Sequence, residues 1–89
     1  MKGKNVVVVT LGGYYWWGKE VAAPEGYIKL EDAGIVGTFG GGLGISGVTA
    51  GSPQSTATIW KAQGTDVTIP ISSVCFIADV KPGAKIEIK

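Results

Sequence analysis

The chain contains no histidine and one cysteine among its 89 residues, and only 17% of its residues are charged. Without histidine, a Ser-His or Cys-His nucleophile pair and a His/Cys cluster for a transition metal are both excluded. Cys75 cannot form an internal disulfide, and its apolar neighbours predict a buried, inert thiol in a reducing compartment. We therefore expect a cytoplasmic protein that is not an enzyme and uses no cofactor.

Positive charge is also scarce. The formal net charge is +1, and arginine is absent, so lysine supplies all eight basic residues. This balance argues against a strongly electrostatic nucleic-acid-binding protein and against base readout by arginine. Weak RNA binding stays open, because the lysines of several copies that face one groove add their fields.

The chain is rich in apolar residues for its size, with 45% hydrophobic residues in 89. One domain of this length cannot bury so much apolar surface alone, so we expect part of it to be buried against other copies of the chain. No apolar run reaches the roughly 20 residues that a membrane helix needs. We expect a homo-oligomer with no membrane partner and no signal peptide.

The first third of the chain predicts three strands separated by glycine-containing turns. A β-branched run at residues 6–11 and an aromatic quartet at residues 14–17 favour strands, and Gly18 allows the second strand to bend. The turn composition Pro-Glu-Gly at residues 24–26 leads into a third strand that begins with Tyr27.

The aromatic quartet places Tyr14 and Trp16 on one face of a strand and Tyr15 and Trp17 on the other. One pair is therefore expected in the core. The other pair is either a subunit-interface anchor or a stacking platform for bases, and Trp60 leaves the same two alternatives open.

The second half of the chain begins with a glycine-rich stretch, residues 34–54, which predicts a long loop between strands three and four. No segment shows a helical period. The elements predicted after the loop are a strand at residues 56–61, a turn or bulge at residues 64–66, two strands in residues 67–80 divided at Pro70, and a sixth edge strand at residues 85–89.

Two motif matches and one acidic pair invite an enzymatic interpretation that we reject. Residues 13–19 have the spacing of a P-loop, but Glu20 stands where the magnesium-binding Ser or Thr is needed. Residues 42–47 match the Gly-x-Gly-x-x-Gly motif of dinucleotide-binding proteins, but we expect neither a following helix nor a βαβ unit there. Glu31 and Asp32 are adjacent, so on a strand they point to opposite faces and form no catalytic pair.

The spacing of residues 7–33 resembles the first motif of Sm and Sm-like (LSm) proteins, including bacterial Hfq. The motif positions are Val7, Val9, Leu11, Gly13, Gly18, Leu30, Asp32 and Ala33. Residues 71–74, Ile-Ser-Ser-Val, resemble the Ile-Ser-x-Val of the final Hfq strand. More particularly, the chain resembles a marine metagenomic, cyanophage-like branch of the family.

The resemblance implies a single Sm-like domain over residues 1–89, folded as a strongly bent five-stranded antiparallel SH3-like barrel without an N-terminal helix. Residues 56–69 of one copy would pair with residues 71–77 of the next and close a ring. A ring of about five to seven copies is expected, with the pentamer favoured. The implied location is the cytoplasm of a bacterial or phage-infected host cell.

RNA binding around the pore is the function that the resemblance implies. The family's loop aspartate and base-contacting asparagine fall on Ala23 and Tyr27, so the usual uridine pocket is absent or rebuilt. Tyr27 either stacks on a base or packs at the subunit contact. Lys19 and Lys29 are candidate phosphate contacts, and solvated side chains are the alternative.

Three functional hypotheses follow. The first is a ring that binds single-stranded RNA or DNA weakly and with little base specificity. The second is a structural or assembly component of a phage, a ring that contacts protein and has no affinity for nucleic acid. The third is a monomeric SH3-like adaptor, in which residues 14–17 and Trp60 would be exposed and form a slot for polyproline peptides.

Overall fold

The computed structural model describes residues 4–60 and 65–89, and these residues are mostly β-strand. The elements are β1 (Asn5–Thr10), β2 (Tyr15–Val21), β3 (Tyr27–Gly40), α1 (Gly44–Ala50), β4 (Thr56–Trp60), β5 (Val67–Pro70), a 3₁₀ turn (Ile71–Ser73), β6 (Val74–Asp79) and β7 (Lys85–Ile88). The all-β class is confirmed. Within the described ranges, no helix has the length and apolar character that crossing a membrane requires. The turn or bulge predicted at residues 64–66 falls partly outside the described ranges.

All seven strands belong to one mixed sheet in the order β6-β1-β2-β3-β4-β7, with β5 paired to β3 outside that path. The first half of β3 pairs with β5 and its second half pairs with β4. The sheet has seven described strands where the resemblance implied five, and strands β1 to β6 pair with one another in antiparallel fashion. The predicted C-terminal edge strand is β7, which runs parallel to β4.

Strand β1 lies at the centre of the molecule and is buried on both faces. Val6 and Val8 face one hydrophobic cluster while Val7 and Val9 face another, because neighbouring residues of a strand point to opposite sides. Three of these four valines are fully inaccessible to solvent. Each fully buried valine contributes about 1.5–3 kcal/mol relative to an exposed one, so this run anchors both clusters.

The two clusters divide the fold into an inner core and an outer core. The inner core lies inside the bent sheet and contains Val6, Val8, Ile28, Leu30, Ala33 and Ile69. The outer core lies on the opposite face of the sheet and contains Val7, Val9, Trp17, Val36, Val48, Ala57 and Ile59. Helix α1 contributes Val48 to the outer core, and β7 packs Ile86 against it.

The bend of the sheet arises where β2 passes β3. The pairing shifts between Trp17 and Lys19, and Asp32 on β3 has a left-handed backbone with φ 54°. A residue inserted into one strand in this way bends that strand and increases its twist. Gly18 lies against the bulge, where an added Cβ would lie 2.9 Å from Cβ of Leu30. The bend predicted at Gly18 is thus part of the fold.

The connection between β3 and β4 is shorter than predicted and contains a helix. Residues 34–40 belong to β3, and α1 occupies residues 44–50 of the segment that the sequence predicted as a loop. The helix forms because Val48 is fully buried in the outer core and Gly51, with φ 76°, ends the helix in the left-handed conformation. Tertiary burial here outweighs the low helix propensity of glycine.

The prediction of a buried Cys75 is wrong, since its thiol is exposed. Strand β6 pairs with β1 alone among the described strands, and its faces are poorly covered. Phe76 is 47% exposed and Ile77 is 41% exposed, although they belong to the apolar run from which a buried Cys75 was predicted.

Candidate nucleic-acid interface

Strand register brings the three predicted site residues together on one face. Lys29 lies opposite Val21 on β2 and Thr68 on β5, whereas Lys19 on β2 lies opposite Glu31. Directly paired residues project to the same side of a sheet, and so do residues two apart on one strand. The resulting surface, here called the Tyr27 face, consists of Lys19, Val21, Tyr27, Lys29, Glu31, Thr68 and Pro70.

The Tyr27 face continues the side of the sheet that carries the outer core, beyond the part that α1 and β7 cover. Tyr27 is 47% exposed, Lys19 is exposed and Lys29 is half-buried. The intervening residues Ile28 and Leu30 point into the inner core and are buried. The alternation of polar and apolar residues from Tyr27 to Leu30 therefore fixes which side chains face solvent.

Backbone hydrogen bonds hold Tyr27 in place at the start of β3. The Tyr27 N–H donates to the carbonyl of Pro24 (3.1 Å), which closes the turn that precedes the strand. The Ile71 N–H donates to the carbonyl of Gly26 (2.9 Å), so the β2–β3 turn packs against the 3₁₀ turn before β6. Gly26 has φ 84°, a conformation that a residue with a side chain rarely adopts.

The charges on the Tyr27 face nearly cancel. Lys19 and Lys29 are its cations, and Glu31 lies directly opposite Lys19 across the strand pair. Glu25, in the neighbouring turn, is exposed as well. A ligand would gain little from long-range electrostatic attraction, so the phenol ring of Tyr27 is the main source of binding energy that this face offers.

A cleft of about 490 Å³ adjoins the Tyr27 face along β7. It is lined by Asn5, Trp17, Gly18, Lys19, Glu31, Asp32, Ile86 and Ile88. Across residues 4–60 and 65–89, no three His, Cys, Asp or Glu side chains are grouped closely enough to hold a metal ion.

The aromatic quartet divides as predicted, with one pair in the core. Trp17 is buried in the outer core, and Tyr15 packs beside it with its ring edge-on to Phe39 at 5.4 Å between centroids. Trp16 is half-buried against the inner core, and Tyr14 is 59% exposed.

Trp60 lies away from the Tyr27 face. It pairs with Ile35, which pairs with Trp16 on the inner-core side of the sheet. The Trp60 side chain is 55% exposed, and Nζ of Lys89 lies 5.6 Å from its ring centroid. Trp60 therefore does not extend the surface that carries Tyr27.

The two nucleotide-binding motif matches occupy ordinary structural positions. Residues 13–19 form the β1–β2 turn and most of β2. Gly42 lies between β3 and α1, and Gly44 and Gly47 lie within α1, so a helix does follow β3 here, contrary to expectation. The strands on either side, β3 and β4, are antiparallel, however, so no βαβ unit is present there.

The sequence analysis predicted a contact between residues 56–69 of one copy and residues 71–77 of the next, and the structure leaves part of these edges open: β7 covers β4, whereas β5 and β6 each keep an edge that no described strand covers. Among the described strands, β5, β6 and β7 each pair with one neighbour and have one open edge. Strand β7 carries Lys85 and Glu87, charged residues that discourage strand addition, whereas β5 carries no charged residue. Strand β6 is uncharged from Val74 to Ala78. It includes residues 74–77 of the segment that the resemblance predicted to pair with the next copy.

Comparison of the chain with protein-family models, curated proteins and solved structures gives no match. The resemblance to Sm-like proteins therefore rests on the motif residues, and the function is argued from the geometry of the Tyr27 face and the open edges.

Proposed function

We propose that this chain is the subunit of a closed homo-oligomeric ring that binds single-stranded RNA or DNA, without catalysis, on the Tyr27 face. The observation that carries the proposal is the placement of Lys19, Tyr27 and Lys29 on one uncovered face. The Sm-like resemblance, found from motif spacing, led to the same three residues.

Assembly in this proposal uses the edge of β6. An exposed apolar edge strand tends to pair with another chain, and Phe76 and Ile77 would lose their exposure in such a contact. Pairing β6 of one copy with β5 of the next joins two different edges. A contact between two different surfaces closes into a ring when its rotation permits closure.

Binding in this proposal depends on stacking. A base that stacks on an aromatic side chain gains about 1–3 kcal/mol with little dependence on base identity. Lys19 and Lys29 would contact phosphates beside the stacked base. Each copy in a ring would offer the same site, so several weak contacts along one strand would act together. We expect weak, salt-sensitive binding with little base preference.

The test compares two tyrosines of similar exposure. Tyr27→Ala should weaken the binding of fluorescently labelled oligo-U and oligo-A, measured by anisotropy, about 5- to 150-fold. Tyr14→Ala removes an exposed tyrosine outside the Tyr27 face and should leave the affinity within about twofold of the unmodified protein. Equal affinities for Tyr27→Ala and the unmodified protein would exclude the Tyr27 face as the binding surface.

A structural ring without nucleic-acid affinity is the second candidate. The near-balance of charge on the Tyr27 face, with Glu31 opposite Lys19, favours it. An assembled ring that binds neither oligonucleotide would establish this candidate instead.

The adaptor hypothesis is not pursued, because its peptide slot requires all of residues 14–17 to be exposed. Tyr14 is the one member of that quartet that is exposed.

A further inference from the structure

The cleft of about 490 Å³ beside the Tyr27 face has a polar side built from three neighbouring strands. Asn5 on β1 lies opposite Lys19 on β2, and Lys19 lies opposite Glu31 on β3. Directly paired residues project to the same side of a sheet, with Cβ atoms about 4.5–5.5 Å apart. These three residues, here called the polar row, therefore present an amide, an ammonium and a carboxylate in that order along the cleft.

The apolar side of the cleft comes from β7 and from Trp17. Ile86 and Ile88 line the cleft from β7, and the buried Trp17 lines it from β2, two residues before Lys19 and on the same side of that strand. A planar group with apolar faces and a polar edge fits such a lining, because its faces meet Trp17 and the isoleucines while its edge meets the polar row.

Backbone hydrogen bonds hold β7 in position beside the cleft. The Lys85 N–H donates to the carbonyl of Ser55 (2.9 Å), and the Lys89 N–H donates to the carbonyl of Ile59 (2.7 Å). The apolar side is therefore ordered before a ligand arrives, which lowers the entropic cost of binding.

The charge of the cleft selects against a phosphate group. The charged residues that line it are Lys19, Glu31 and Asp32, one cation and two anions. A net negative lining repels a phosphate and admits an uncharged group. A nucleobase is uncharged and planar, with apolar faces and a polar edge, and the cleft volume is within the usual range of small-ligand pockets.

We propose that this cleft accepts a guanine base of the strand whose other bases stack on Tyr27. The edge of guanine carries acceptors at N7 and O6 followed by donors at N1 and N2, which is the order that complements the polar row. Asn5 and Lys19 would donate to the two acceptors, and the Glu31 carboxylate would accept from both donors. Adenine, cytosine and uracil each carry an acceptor next to the donor that would face this carboxylate.

The inference rests on the proposed function, because the strand bound at Tyr27 supplies the base. Tyr27, Lys29 and Glu31 project to the same side of β3, and Glu31 lies four residues, about 13 Å, beyond Tyr27. A strand that follows β3 would place one base on Tyr27, pass Lys29 and enter the cleft with a later base. Oligo-U and oligo-A contain no guanine, so the low base preference of stacking on Tyr27 is a separate property.

Two ligands that differ in one group test the inference. Inosine has the edge of guanosine without the 2-amino group, and so lacks one of the two donors to Glu31. An oligo-U strand with one central guanosine should bind about tenfold more tightly than the same strand with inosine, measured by fluorescence anisotropy. Affinities within about twofold of each other would overturn the inference.

Glu31→Ala and Glu25→Ala form a matched pair of variants. Each removes one exposed carboxylate, and of the two glutamates Glu31 alone lines the cleft. Glu31→Ala should reduce the preference for guanosine over inosine to within about twofold, whereas Glu25→Ala should retain the preference of about tenfold. An unchanged preference in Glu31→Ala would overturn the assignment of Glu31 and of the cleft.

The inference and the proposed function fail in different experiments. If Tyr27→Ala weakens binding of oligo-U and the guanosine and inosine strands bind equally, the proposed function stands and the inference fails. If the unmodified protein binds no strand, the proposed function fails, and free guanosine and inosine monophosphates test the cleft alone. Larger shifts of the Gly18 and Lys19 amide NMR signals with guanosine monophosphate would support a guanine site for a free nucleotide, and unshifted signals would overturn it.

Discussion

Single residues of the Sm-like motif have structural roles that explain their identity. Leu30 is fully buried in the inner core, and Ala33 packs beside it under Gly18. Asp32 adopts the left-handed conformation of the β3 bulge, which aspartate tolerates better than most residues, and its N–H donates to a carboxylate oxygen of Asp66 (3.4 Å). The Leu-x-Asp-Ala spacing therefore matches what the fold requires at these positions.

Ser55 is a polar residue in a buried position. Its side chain is fully buried, and its hydroxyl has no hydrogen-bond partner among the described residues. We expect Ser55→Ala to raise the free energy of unfolding by about 1 kcal/mol, because it removes an unpaired buried polar atom. Urea denaturation at fixed protein concentration measures this, with the exposed Ser72→Ala as control, expected within about 0.5 kcal/mol of zero. A loss of stability in Ser55→Ala would mean that the hydroxyl has a partner.

At the scale of elements, local sequence patterns predicted where strands form, but they did not predict which strands are covered by neighbouring elements. The β-branched run of β1 and the division of β5 from β6 at Pro70 follow from residue type and turn chemistry. Helix α1 was missed because its stability comes from burying Val48, which no local pattern of a glycine-rich segment reveals. Cys75 on β6 was predicted to be buried because an apolar run does not indicate how many strands pack beside it.

Gly18 tests the origin of the bend between β2 and β3. An added Cβ would lie 2.9 Å from Cβ of Leu30 and 3.4 Å from Cα and Cβ of Ala33, and both residues are buried. Gly18→Ala should therefore lower the free energy of unfolding by about 1–3 kcal/mol. Gly12→Ala is the matched control, since its Cβ would meet nothing closer than 3.8 Å. Equal stability of the two variants in urea denaturation would show that the bend does not require a glycine.

At the scale of the whole molecule, two hydrophobic cores share one central strand. The inner core lies on the side of the sheet that carries Val6 and Val8, whereas the outer core is covered by α1 and β7. What stays uncovered is the Tyr27 face and the β6 edge. The resemblance to Sm-like proteins suggested Tyr27, with Lys19 and Lys29 beside it, but the strand register was needed to place the three residues on one face. The resemblance had suggested residues 71–77 as a contact strand, and the structure was needed to show that β6 has one open edge among the described strands.

The central claim is that β6 joins copies of this chain. Native mass spectrometry of the unmodified protein, Ile77→Lys and Ile88→Lys tests it most directly, because both isoleucines are substantially exposed and only Ile77 lies on β6. We predict a closed assembly of about five to seven copies for the unmodified protein and for Ile88→Lys, and a monomer for Ile77→Lys, since a buried unpaired charge opposes association. A monomeric unmodified protein, or an Ile77→Lys assembly of unchanged mass, would contradict the account.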